Sequence, residues 1–249
     1  MSQSIILCEG NTDFSLLQIY MREVHNWNED KSYQDHVVKI PNQKSRIFKR
    51  DDDYLTIMAT GGCTRIDEGL DIVLDRIIQA PPPFDSAFGK IAIVTDNDEI
   101  DTAEKFIEQR KKKLTEKNVL INGVLKNKEW TKCQVTTSVG ITFDFRIIVF
   151  VIPHDHEGAM ETFLLDAISA NDPYDKVLID KCRKFVGDSD PEVRYLKHRS
   201  YKTKAEFSSY FCIRTPADAY QERGNLMKSG VKWGDYPLIR EEFKKLGDL

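Results

Sequence analysis

The chain has 249 residues, 41% hydrophobic and 31% charged, with a formal net charge of −4. That length buries a substantial core, and the acidic balance excludes a general electrostatic pull toward nucleic acid, which would need a local basic surface or metal ions. No apolar run approaches the roughly 20 residues that span a bilayer, so no membrane contact is expected.

The opening "MSQSIILCEGN" has no basic n-region, and its apolar run is too short for a signal peptide. Cys8, Cys63, Cys133, Cys182 and Cys212 are scattered, with no CxxC pair. They read as reduced thiols of a cytoplasmic protein and argue against a cysteine-based zinc site.

"SIILC" (4–8) is an apolar run of strand length, followed by "EGNTD" and then "FSLLQIYMREV". In the last of these Phe14, Leu17, Tyr20, Met21 and Val24 recur at helical spacing. Asn11 or Thr12 is placed to cap that helix, with Asp13 favourable in its first turn. Residues 26–53 are polar, with one short strand expected at "HVVKI" (36–40). "YLTIMAT" (54–60) reads as a second buried strand, closed by Gly61-Gly62. The amphipathic "RIDEGLDIVLDRII" after it stops at Pro81-Pro82-Pro83. "KIAIVT" is a third strand and "DTAEKFIEQRKKKL" the helix behind it, its "EQRKKKL" read as a solvated face.

Strands alternating with helices predict a parallel sheet with right-handed crossovers. "VLINGVL" and "KCQVTTS" break the rhythm, as an inserted hairpin or edge elements within 119–145. "FRIIVFVIP" (145–153) reads as a central strand leading into a helix over "HDHEGAMETFLLDAI". Further helices are expected around 175–186, around 202–213 and at "PLIREEFKKL". The expected organisation is an α/β domain over 1–170, carrying the insertion at about 119–145, and a helical extension over 171–249 packed on it.

In an open parallel sheet, ligands bind beyond the carboxyl ends of the strands. Here the first strand ends in Glu9, the third in Asp96 and Asp98, and the long one in "HDHEGAMETF". Carboxylates gathered from three strand ends repel one another, and a divalent cation with hard oxygen ligands removes the repulsion. Asp96 and Asp98 face the same way if the strand persists, and so share one ion or span two. The plain alternative is a turn, since Asp and Asn are common turn formers.

"IILCEGNTD", "TGG" and "IVTDNDEID" together resemble the Toprim domain, over roughly residues 4–165. Single-domain, OLD-like Toprim nucleases are the most similar, through "IPHDHEGAMETFLLDAI". The resemblance implies a Toprim-like, Rossmann-like parallel sheet flanked by helices, and a Mg²⁺- or Mn²⁺-dependent nuclease. Glu9 matches the family's metal ligand or general acid/base, Gly10 the glycine of a tight turn, and Asp13 the acid one turn on. Asp96 and Asp98 match the metal-binding pair and Glu161 the later acid, with Glu157 as competitor. OLD-like relatives carry a functional lysine on a C-terminal helix, which Lys202 or Lys204 would supply.

The separate tyrosine domain of topoisomerases and the zinc region of primases have no counterpart. No GxxxxGK[ST] phosphate loop occurs, so an ATPase partner would be a separate chain. DNA is favoured over RNA as substrate, and a homodimer is allowed. The alternatives are a nucleic-acid-binding or regulatory subunit working with that ATPase, or a phosphoryl or nucleotidyl transferase acting on a small substrate.

"LKHRSYKTK" (196–204) concentrates Lys197, Arg199, Lys202 and Lys204 as candidate phosphate contacts, with Tyr195 and Tyr201 able to stack on bases. His154, Asp155 and His156 invite a transition-metal reading. Adjacent loop residues do not converge easily on one ion, and a polar rim is the simpler expectation.

Overall fold

A computed structural model describes residues 2–32, 40–98, 101–153, 155–218 and 231–249. The expected strand at 36–40 lies almost wholly outside these residues.

The strands are β1 (Gln3–Cys8), β2 (Asn28–Glu29), β3 (Ser45–Arg50), β4 (Asp53–Ala59), β5 (Phe88–Asp96), β6 (Leu120–Asn122), β7 (Thr131–Thr136) and β8 (Thr142–Ile152). They form one sheet in the order β2-β3-β4-β1-β5-β8-β7-β6. The helices are α1 (Asn11–His25), α2 (Ile66–Gln79), α3 (Thr102–Glu116), α4 (Met160–Asn171), α5 (Pro173–Ser189), α6 (Arg199–Arg214) and α7 (Pro237–Phe243). None of the described helices is long and apolar enough to cross a membrane.

The architecture is mixed α/β, a sheet flanked by helices, and the expected parallel sheet with an inserted hairpin is parallel only at its centre. β4, β1, β5 and β8 run parallel, but β2–β3, β3–β4, β7–β8 and β6–β7 pair antiparallel. The reason is connection length. Only Asp51 and Asp52 separate β3 from β4, and so short a link joins antiparallel neighbours alone. The 119–145 insertion forms the far edge, where β6 and β7 extend the sheet beyond β8.

The central strands are apolar over their inner stretches because helices cover both faces. Side chains alternate across β1, so Ile6 and Cys8 enter one core and Ile5 and Leu7 the other. The second core receives α2 and α3. The first receives α1, α4 and much of the C-terminal third, including Phe207, Phe211, Trp233 and Phe243. Phe243 packs against Tyr20, Phe150 and Phe163 at ring separations of 5.4, 6.0 and 6.1 Å, which fixes the C-terminal helices to the sheet face beneath the site.

α4 begins at Met160, six residues later than "HDHEGAM" suggested, because Pro153 and residues 155–159 are held as a loop against the end of β5. Asn97 Nδ2 donates to the carbonyls of Pro153 and His156, and Asn97 pairs with Gly158 in an antiparallel bridge.

Candidate functional site

The carboxyl ends of β1 and β5 and the start of α4 meet in a cavity of about 320 Å³. Glu9, Asp13, Asp96, Glu161 and Lys204 all line it. Each is held by local bonding that the sequence encodes.

Glu9 follows β1 directly. Its backbone carbonyl accepts from the N–H groups of Gly61 and Gly62, both at 3.0 Å. Those glycines have φ of 88° and 133°, which side-chain-bearing residues rarely adopt, so "TGG" fixes the Glu9 peptide. The Glu9 carboxylate accepts from Thr95 Oγ1 at 2.8 Å and from the Asp96 N–H at 3.3 Å.

Neither Asn11 nor Thr12 caps α1. Gly10 takes that place, and the Asp13 carboxylate accepts from its N–H at 2.7 Å. The φ of Gly10 is −130°, so no tight glycine turn is required there. Thr12 instead donates its hydroxyl to Glu161 at 2.8 Å and ties α1 to α4. Asp96 is the last residue of β5, and its Oδ1 accepts the Met160 N–H at 2.9 Å.

Crowding shapes the electrostatics. Burial, reinforced by Glu9 and Glu161, pushes the Asp13 carboxyl from 3.8 up to about 7, against the Gly10 N–H and Lys204. Burial pushes Asp96 well above the carboxylate range, with Asp13, Glu9 and Glu161 adding to it. Burial raises Glu9 too, opposed by its bonds to Thr95 and Asp96. All the donors are hard oxygens that carry more negative charge than Lys204 can offset, which suits a magnesium-like cation.

The structure separates other candidates. β5 ends at Asp96, and Asn97 turns inward to bond the carbonyls of Pro153 and His156. Asp98 lines a neighbouring cavity with Asp96, and its carboxylate receives Arg199 Nη2 at 2.6 Å. Arg199 also lies within reach of the Asn97 and Gly158 carbonyls, at 3.5 and 3.4 Å. Glu157, exposed, lines a third cavity with Arg199 and Lys202, while Glu161 is 3% exposed among the clustered acids.

Lys202 thus falls outside the carboxylate cavity and Lys204 inside it. Lys197 is exposed. The imidazole of His156 is bracketed by Asp155 at 2.8 Å and Asp166 at 3.0 Å, which occupies both ring nitrogens. His154 lies outside the described residues.

Cys63, in sequence only one of the scattered thiols, sits at the rim of the site. Its Sγ and oxygens of Glu9 and Asp98 lie within 4.8 Å of one another, a proximity that its place directly after "TGG" foreshadows. Arg199 already holds one oxygen of Asp98, so a cation binding there competes with it for the carboxylate's charge. Arg199→Gln is expected to tighten Mn²⁺ binding by up to about fivefold, the scale of a half-exposed ion pair. Isothermal titration reads it, and weaker binding would make Arg199 a support for the site rather than a competitor.

A family model described as "Protein of unknown function (DUF3226)" matches residues 3–229. A hypothetical protein from Pyrococcus horikoshii OT3 shares the fold, at a TM-score of 0.53 and 14% identity over 99% of this chain and 100% of that one. A lactoylglutathione lyase from Agrobacterium tumefaciens aligns at a TM-score of only 0.18 and 12% identity, over 59% of this chain and 92% of its own. The fosfomycin resistance protein FosX from Listeria monocytogenes aligns at 0.18 and 10%, over 59% and 89%. Neither score implies a common fold. No curated protein matches the sequence.

Proposed function

The chain belongs to the DUF3226 family, and for this member we propose a Mg²⁺- or Mn²⁺-dependent nuclease of Toprim type, hydrolysing phosphodiester bonds in DNA in the cytoplasm. The observation that carries the reading is the meeting of Glu9, Asp13, Asp96 and Glu161 with one lysine in a single cavity. The parallel centre of the sheet supports it, since that cavity lies beyond the carboxyl ends of neighbouring parallel strands. The order of motifs, "CEGNTD", "TGG", "TDND" and "GAMETF", resembles Toprim at the residues that converge.

Glu9, Asp96 and Glu161, with Asp13 beside them, would hold the cation. A divalent ion in such a site supplies charge stabilisation at a phosphoryl oxygen and an acidified water. Thr95 and the Asp96 N–H orient the Glu9 carboxylate, and Thr12 orients Glu161. Lys204, already offsetting the charge of Asp13, is assigned the negative charge that grows on the phosphate. Lys202 is not, because it lines another cavity.

Supercoiled plasmid incubated with the protein and Mn²⁺ or Mg²⁺ tests this directly. Wild type is expected to nick it, and Glu9→Gln to lose a hundredfold or more of that rate, the scale of a lost group in a catalytic charge network. A wild-type protein that leaves plasmid intact in both metals sinks the proposal.

A further inference from the structure

The cavity beside the carboxylates is the larger of the two, about 690 Å³. It includes Asp96 and Asp98 at one end and follows α3 from Thr102 to Glu116. The 15 residues of α3 span about 22 Å at 1.5 Å per residue, long enough to lie along several nucleotides of one strand. Lys105, Arg110, Lys112 and Lys113 all line it. Lys105 is paired with Asp101 at 2.7 Å and Lys113 with Asp71 at 2.6 Å, while Lys112 lies 4.0 Å from Glu116.

Arg110 differs from these lysines. Phe106, Arg110 and Leu114 form the buried stripe of α3, so the arginine is turned inward and is 2% exposed. Its guanidinium lies over the Phe106 ring at 4.2 Å. Nη2 donates to Asp67 Oδ2 at 2.9 Å and to Gln109 Oε1 at 3.3 Å. Among the described residues, Nε and Nη1 are buried with no acceptor, and Asp67 Oδ1 likewise lacks a donor. A two-pronged Arg–Asp pair would have used these atoms, and here the contact is single. Buried polar atoms are bonded in the great majority of cases. Lys105, Arg110, Lys112 and Lys113 face Asp67, Asp96, Asp98 and Glu116 across this cavity, and the two unmet cationic donors in its wall mark the place of an acceptor that the described residues do not supply.

We infer that this cavity is the track for the nucleic-acid strand flanking the scissile phosphate, with Arg110 as a backbone-phosphate ligand and Lys105 and Lys112 as its exposed rim. The inference rests on the nuclease reading for the identity of the polymer, but its geometry is independent of the carboxylates' chemistry. Backbone contacts of this kind position a strand without reading its sequence.

Fluorescence anisotropy of a labelled 20-nucleotide single-stranded DNA, titrated with the full chain in EDTA, reads the track without any cleavage. Arg110→Gln is expected to weaken binding about tenfold. Lys105→Gln/Lys112→Gln is expected to weaken it and to lower the slope of log K against log salt by about 1 to 1.5, near 0.7 for each phosphate contact on a single strand. Lys184→Gln on α5 supplies the control for a distant charge. If Arg110→Gln lowers the melting temperature sharply, the exposed double variant carries the test.

Wild-type affinity and slope in the folded variants would overturn the proposal, as would a wild-type chain that binds no oligonucleotide. The two readings fail separately. Arg110-dependent binding without metal-dependent nicking keeps the track and removes the nuclease. Nicking with binding indifferent to all these residues keeps the nuclease and removes the track.

Discussion

Metal-free protein is expected to lose stability as pH rises from about 4 to about 7, and saturating Mn²⁺ to return most of it. The sign follows from Asp13, whose carboxyl is raised from 3.8 to about 7 in the folded chain. Below pH 4 both states hold the proton and no penalty exists. Between 4 and 7 the unfolded chain ionises while the folded one stays protonated, so the folded state binds more protons and stability falls with pH. Above 7 the full cost is present, on the order of 4 kcal/mol at about 1.4 kcal/mol for each pH unit. Asp13 is 3% exposed, so solvent screens little of it.

Asp96 and Glu9 are raised in the same direction by burial and by each other's neighbours, which widens the window. A bound cation favours the ionised forms, and at a hundred times its dissociation constant contributes about 2.7 kcal/mol. Thermal melts from pH 4.5 to 8 in EDTA should fall by ~10 °C, and the curve in Mn²⁺ should be flatter. Parallel curves in EDTA and Mn²⁺ would mean that these carboxyls do not meet a metal.

Asp96→Asn is expected to make the metal-free protein more stable and the metal site much weaker. Asparagine keeps an oxygen to accept the Met160 N–H, now bonded to Asp96 at 2.9 Å, so the start of α4 is preserved. What disappears is the charge that faces Asp13, Glu9 and Glu161. The melting temperature in EDTA at pH 8 should rise by ~5 °C, corresponding to about 1–2 kcal/mol, while Mn²⁺ affinity drops tenfold or more. Opposed changes in stability and binding are the signature of a functional site held under strain. A fall in melting temperature with unchanged Mn²⁺ affinity would make Asp96 a cap for α4 and nothing more.

Much of this arrangement is legible in the sequence because buried parallel strands are written as short apolar runs. β1, β4, β5 and the inner part of β8 are such runs, and the acids follow where the runs end. β3 is not legible in "SRIFKR", because only two of its six residues are buried and its charged face resembles a loop. The choice between Lys202 and Lys204 is invisible in composition but follows from helix geometry, since residues two apart cannot face the same way. Arg110 is obscured by its lysine neighbours. The signal was the spacing of four that links Phe106, Arg110 and Leu114, an inward stripe with one cation in it. The antiparallel flanks depend on links too polar to carry a periodicity.

The hydrogen bond from Thr12 to Glu161 joins residues 149 apart in the chain, and those from Thr95 to Glu9 and Met160 to Asp96 span 86 and 64. Contacts of such long range form late in folding. A ribosome that has made β1, α1 and the strands through β5 has made three of the four acids, yet nothing to close the cavity over them. Whatever chemistry this pocket performs is withheld from the nascent chain and begins only when α4 has docked.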